Sequence, residues 1–147
     1  TYCIIIPMNY NFSGIEHRNM VISYLMRKLA LINIPNKIKA FIIKSMHFQA
    51  PLNGLIFISI VKFNIALYTY FLFIIAFILF VYFRGCFLTI IEYKLDKENF
   101  MNIADPYLHL YNIEITNDNR YYSILYIAIF YMVFVSWLLL YKYYYHR

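Results

Sequence analysis

Residues 63–83, FNIALYTYFLFIIAFILFVYF, contain no Asp, Glu, Lys, Arg or His and are fenced by Lys62 and Arg84. As a helix this stretch rises about 31 Å, which matches the roughly 30 Å hydrocarbon core of a bilayer. A second stretch, residues 121–141, is of the same kind and lies between Arg120 and Lys142. Two such spans constrain the fold more than any other feature. They predict an all-α membrane protein with two transmembrane helices, preceded by amphipathic N-terminal helices and joined by an ordered connector loop. Residues 1–54 read as the amphipathic region and residues 55–147 as a membrane hairpin with its connector at 84–120.

Charge gives the hairpin an expected orientation. The chain carries +6 overall, and the basic residues crowd the N-terminal region. Arg18, Arg27, Lys28, Lys37, Lys39, Lys44 and Lys62 face only Glu16 there. The connector holds the other six acids, Glu92, Asp96, Glu98, Asp105, Glu114 and Asp118, against Arg84, Lys94, Lys97 and Arg120. Lys142 and Arg147 follow the second span. Basic flanks around a less basic connector predict that both termini share the positive side of the membrane. Cys3 and Cys86 would then face different compartments, so no mutual disulfide is expected.

Local signals divide the flanking regions. The opening TYCIIIPMNY lacks a basic run before its apolar residues and reads as neither a secretory signal nor a transit peptide. Ser13 and Glu16 have capping-box spacing. Ile15, Ile22, Leu25, Leu29 and Ile32 then recur on one helical face until Pro35. A second short helix is predicted over 36–49, with Ile38, Phe41, Ile42 and Met46 on its apolar side and Lys37 and Lys44 opposite. Pro51-Leu-Asn-Gly54 should break it. Because Leu55–Val61 is also apolar, the helix of the first span is expected to begin near Leu55 and tilt through the bilayer, with Lys62 snorkelling. Beyond Arg84, residues 87–91 are expected to prolong the span's helix towards Asp96. Asp105-Pro106 marks a turn, and residues 107–116 alternate as a short extended segment would.

Few residues suggest chemistry. His17, His47, His109 and His146 all lie outside the spans, which argues against haem ligation within them. No HExxH, C-x-x-C or glycine-rich phosphate loop is present. Neither span contains the ionisable residue that marks an ion or proton pathway. No catalytic residue, metal ligand or cofactor is therefore expected. Tyr121, Tyr122, Trp137, Tyr141 and Tyr143–Tyr145 lie where an interfacial aromatic belt belongs. In the N-terminal region Arg18, Arg27, Lys28, Lys37, Lys39 and Lys44 are candidate contacts for anionic phospholipid such as cardiolipin. The long apolar face and the lack of a dense basic run argue against nucleic acid.

Two resemblances bear on function. With Tyr 17 and Phe 14 against Gly 3 and Pro 4, and with abundant Ile, Asn and Lys, the chain favours residues encoded by AT-rich codons. In this it resembles the mitochondrially encoded membrane subunits of ciliates. That likeness implies the mitochondrial inner membrane, with termini in the matrix and residues 84–120 in the intermembrane space. It also implies other subunits of a multi-subunit complex as partners, and a structural role in the respiratory chain rather than catalysis. Separately, Ser13-Gly-Ile-Glu-His17-Arg18 resembles the Ser-x-x-His-Arg quinone-site string of succinate dehydrogenase membrane anchors. Here Ser13 stands one residue further from the His, and no Thr/Ser-Gly follows the Arg. This second likeness implies a quinone contact at Ser13, His17 and Arg18. A membrane subunit of ATP synthase is a further alternative.

Overall fold

The computed structural model describes residues 13–145, with only the backbone for Ser13. Its elements are all helices: α1 (Ser13–Ala30), α2 (Asn36–Ile60), α3 (Phe63–Tyr82), α4 (Phe87–Leu95), α5 (Asp105–Leu110) and α6 (Asn117–Tyr145). Among the described residues there is no strand. The opening ten residues, Cys3, His146, Arg147 and the Ser13 side chain of the expected capping box lie outside the described residues.

Helices α3 and α6 match the two stretches that set the fold class. Both are long and apolar enough to cross a bilayer, with mean hydropathies of 2.4 and 2.3 over their most apolar stretches. Only 6% and 11% of those stretches are buried inside the molecule. The core helix of a soluble protein would be mostly covered by its own chain. These two are left bare, and they need lipid or a neighbour around them.

The pair runs antiparallel, and polar or aromatic contacts mark its register from end to end. Phe63 meets Tyr143 with ring centroids 5.4 Å apart, Tyr70 OH lies 2.6 Å from Ser136 Oγ, and Phe80 stacks on Tyr121 at 5.4 Å. At the last rung Arg84 reaches Asp118 at 3.7 Å.

Helix α2 corrects a boundary. Pro51 and Gly54 do not break it, and the helix continues to Ile60. Proline removes a backbone donor, and glycine costs about 1 kcal/mol relative to alanine in a helix. Tertiary contacts override both signals. Tyr131 OH donates to the Pro51 carbonyl at 2.8 Å, and a Cβ on Gly54 would sit 2.1 Å from Phe73 Cζ. The glycine therefore makes room for an aromatic ring of α3. Residues 55–60 accordingly belong to α2 rather than to the start of the first span. Two extended residues, Val61 and Lys62, turn the chain into α3. Ile58, Ala66, Val135 and Leu139 form a core shared by α2, α3 and α6.

A second core joins α1, α2 and α4 through Ile22, Ala40, Ile91 and Leu95. Its formation turns inward a different side of α2 from the expected apolar one, while Lys37 stays exposed as expected. Ile38, Phe41, Ile42 and Met46 are exposed, whereas Lys39 and Ala40 are buried. The small Ala40 lets α4 approach closely, which the larger residues of the expected apolar face would prevent.

The connector also differs from expectation. The first span's helix does not continue past Arg84. Arg84 at φ 51° and Gly85 at φ 133° turn the chain, so that α4 folds back onto α2. Residues 105–110 are helical rather than part of an extended segment, with Pro106 inside the first turn, where its missing N–H costs no helical bond. A bidentate pair from Arg120 to Asp105, at 2.6 and 2.9 Å, ties α5 to the start of α6.

These contacts sort the molecule into two ends. At one, α1 and the first half of α2 pack with α4 of the connector. At the other, the α2–α3 turn meets the last residues of α6. Helix α2 runs from the first end to the second, then α3 returns. If α3 crosses a bilayer, α1 and residues 84–120 cannot lie on opposite sides of it, because they touch. This differs from the expected hairpin, which has α1 and the connector in separate compartments.

Candidate functional site

The densest polar grouping forms where α3 ends. The Gly85 N–H donates to the Phe80 carbonyl at 2.9 Å and the Arg84 N–H to Val81 at 3.1 Å, closing the helix through a left-handed residue. Arg18 of α1 completes the cap. Its Nη1 donates to the carbonyls of Phe83 at 3.0 Å and Arg84 at 3.5 Å. A cation there also meets the negative end of the helix dipole. Burial draws the Arg18 pKa below its ordinary value, and its Nε has no partner among the described residues. Beside it, His17 Nδ1 lies 2.7 Å from Tyr82 OH, with the two rings stacked at 6.1 Å.

On the other side of the turn, α2 and α4 face each other across two rungs. His47 Nε2 lies 3.4 Å from Cys86 Sγ, and Lys44 Nζ lies 3.5 Å from Glu92 Oε1. Cys86 is a free thiol at the residue preceding α4. Burial alone would push its pKa up. The hydrogen bond and charge of His47, with the backbone amides of Thr89 and Leu88, bring it below the ordinary thiol value. The same hydrogen bond raises the His47 pKa against the opposing effect of burial, and the charges of Cys86 and Glu92 add to the rise. The contact thus shifts both groups toward thiolate and imidazolium, which gives Cys86 a larger thiolate share than an isolated thiol at the same pH. Among the described residues no three His, Cys, Asp or Glu side chains form a metal-binding group.

This chain matches no known family. Comparison with characterised proteins and with solved structures likewise finds no match.

The geometry disperses the residues singled out in the sequence. His17 and Arg18 do come together at the end of α3, joined by Tyr82, which the sequence reading had not linked to them. Of the candidate lipid contacts, Arg18 caps α3, Lys39 is buried, Lys44 pairs with the buried Glu92, and Lys37 forms an exposed pair with Glu98 at 3.8 Å. Arg27 and Lys28 remain exposed in the last turn of α1, with Lys28 over the Tyr24 ring. The His47–Cys86 pair was not anticipated. Its members stand 39 residues apart, and only the fold of α4 onto α2 brings them together.

Proposed function

We propose that this chain is a non-catalytic subunit of a multi-subunit respiratory complex in the mitochondrial inner membrane. Its role is to fill space and organise lipid between larger subunits. The bare lateral surface of α3 and α6 carries this reading. A chain that buries so little of its two longest apolar helices depends on lipid and neighbouring proteins to cover them. The AT-rich residue usage supports an organelle-encoded origin. Exposed Ile38, Phe41, Ile42 and Met46 on α2 give the neighbours, or anionic lipid such as cardiolipin, a second apolar strip to cover.

The proposed orientation follows the two ends of the molecule. The end built from α1 and the connector holds every described Lys and Arg except Lys62 and Lys142, so it is assigned to the matrix. The α2–α3 turn and the end of α6 then face the intermembrane space. The experiment is mass spectrometry of native-gel bands from mitochondria of the source organism. The peptides are expected to co-migrate with a respiratory complex. Recovery only in a band with ATP hydrolysis activity would move the assignment to ATP synthase.

One observation favours a second reading, the quinone-binding anchor. His17 and Tyr82 offer two adjoining hydrogen-bonding groups beside Arg18 at the end of a span, as the polar head of a quinone requires. Under the structural reading, His17→Ala leaves electron transfer per assembled complex unchanged. A large loss of turnover with normal assembly would transfer the assignment to the anchor.

A further inference from the structure

The end of the bundle opposite α1 and the connector holds a cleft of about 710 Å³ between the α2–α3 turn and the last turn of α6. Lys62, Asn64 and Lys142 line it. Lys142 is 8% exposed, and its Nζ donates to the carbonyls of Ile58 at 2.7 Å and Ser59 at 3.1 Å. Those two bonds fasten the end of α2 to α6 and leave the third ammonium hydrogen for another acceptor. Lys62 is the residue that precedes α3, and no side chain caps that helix. The amides of Phe63, Asn64 and Ile65 therefore point outward without intrahelical partners, the first bond of the helix being that from the Ala66 N–H to the Lys62 carbonyl at 3.0 Å.

Among the described residues no carboxylate balances this end. All seven acids lie in α1, the connector or the first turn of α6, and all four ion pairs among the described residues form there too. A nearly buried ammonium without a counterion is costly, and an anion supplied from outside offsets that cost. The cleft also lies at the ends of both apolar helices, with the 79% exposed Ile60 beside it. A free ion would have no use for the apolar side chain, whereas the acyl chains of a lipid would cover it.

We infer that this cleft seats the phosphate of an anionic phospholipid. Lys62, the spare hydrogen of Lys142 and the first-turn amides of α3 hold the phosphate oxygens, and the acyl chains lie along α3 and α6. The inference rests on the membrane reading of those helices. It places a lipid site at the end of the molecule opposite the basic residues of α1 and α2.

Trp137 is the chain's single tryptophan, 60% exposed, five residues before Lys142 on α6, or about 7.5 Å along the helix. It is therefore a built-in reporter. The full chain is reconstituted into phosphatidylcholine vesicles containing a small fraction of brominated phosphatidylglycerol or, in parallel, brominated phosphatidylcholine. Brominated phosphatidylglycerol is expected to quench Trp137 at about fivefold lower mole fraction. Lys62→Glu, with helicity checked by circular dichroism, should abolish that preference, and inorganic phosphate should not compete for it. Equal quenching by the two lipids, or a preference that survives Lys62→Glu, would overturn the lipid site and leave the membrane reading standing. Competition by inorganic phosphate would replace the lipid with a free anion. Absence of quenching by either lipid would overturn both readings.

Discussion

Cys86 is subject to two opposing influences, and their balance sets its reactivity. Burial favours the neutral thiol, while His47 and two backbone amides favour the thiolate and prevail. Alkylation by iodoacetamide follows the thiolate. In the wild-type protein the rate should thus persist to lower pH than for an ordinary thiol, declining only as pH falls through the depressed pKa. His47→Ala leaves burial opposed by the backbone amides alone, so the profile should move to higher pH and the rate at neutral pH should drop several-fold. An unchanged profile in that variant would mean that the 3.4 Å contact does not influence the sulfur. Nothing local in the sequence announces this pair. His47 and Cys86 each sit in an unremarkable stretch, and their meeting depends on the left-handed turn at Arg84 and Gly85. Gly85 hints at a turn but not at the partner that the turn will bring.

At the scale of an element, α2 shows how far local signals reach. Gly54→Ala would ordinarily gain about 1 kcal/mol of helix propensity. Here the new methyl meets the Phe73 ring, which is itself held edge-on to Tyr131 at 5.6 Å. Overpacking of this kind costs about 1–3 kcal/mol, so the substitution should destabilise the protein or leave it near neutral, not stabilise it. Combining it with Phe73→Leu should recover stability relative to Phe73→Leu alone, and thermal melts in detergent can measure the cycle. Equal effects of Gly54→Ala in both backgrounds would refute the contact. The contrast with α3 and α6 is instructive. Twenty mostly apolar residues without Asp, Glu, Lys, Arg or His can satisfy their backbone in lipid only as a helix, so those two elements were legible from composition alone. The extent of α2 was not, because Pro51 and Gly54 read as a stop unless Tyr131 and Phe73 are known to answer them. The same holds for its buried side. Ile38, Phe41, Ile42 and Met46 form the stronger apolar pattern, yet close approach by α4 selects the face with Ala40.

At the scale of the whole molecule, the two cores determine how many times the chain travels between its ends. A hairpin with amphipathic N-terminal helices makes two passages, through α3 and α6. In the structure α2 also runs between the two ends, because it connects the core around Ile22 and Ala40 to the core around Ile58 and Ala66, although among the described residues only α3 and α6 are long and apolar enough to cross a membrane. This brings the last half of α2, with Pro51 and Gly54, alongside the two apolar helices, where Tyr131 bonds the Pro51 carbonyl and Phe73 packs on Gly54. The arrangement is decided by three single-cysteine proteins, Arg27→Cys, Lys62→Cys and Glu98→Cys, each in a background with Cys3 and Cys86 replaced by serine. The positions lie at the end of α1, in the α2–α3 turn and in the connector. With a membrane-impermeant maleimide applied to one face of oriented membranes, the cysteines at 27 and 98 should label together, and the one at 62 only from the other face. A two-passage hairpin requires 27 and 62 to label together and 98 alone. Charge counting by itself does not separate these outcomes, because Lys62 counts with the N-terminal region in sequence but lies at the opposite end in space. The contact of Arg18 with the Phe83 carbonyl does separate them, since it fixes α1 to the end of α3 that the connector leaves from.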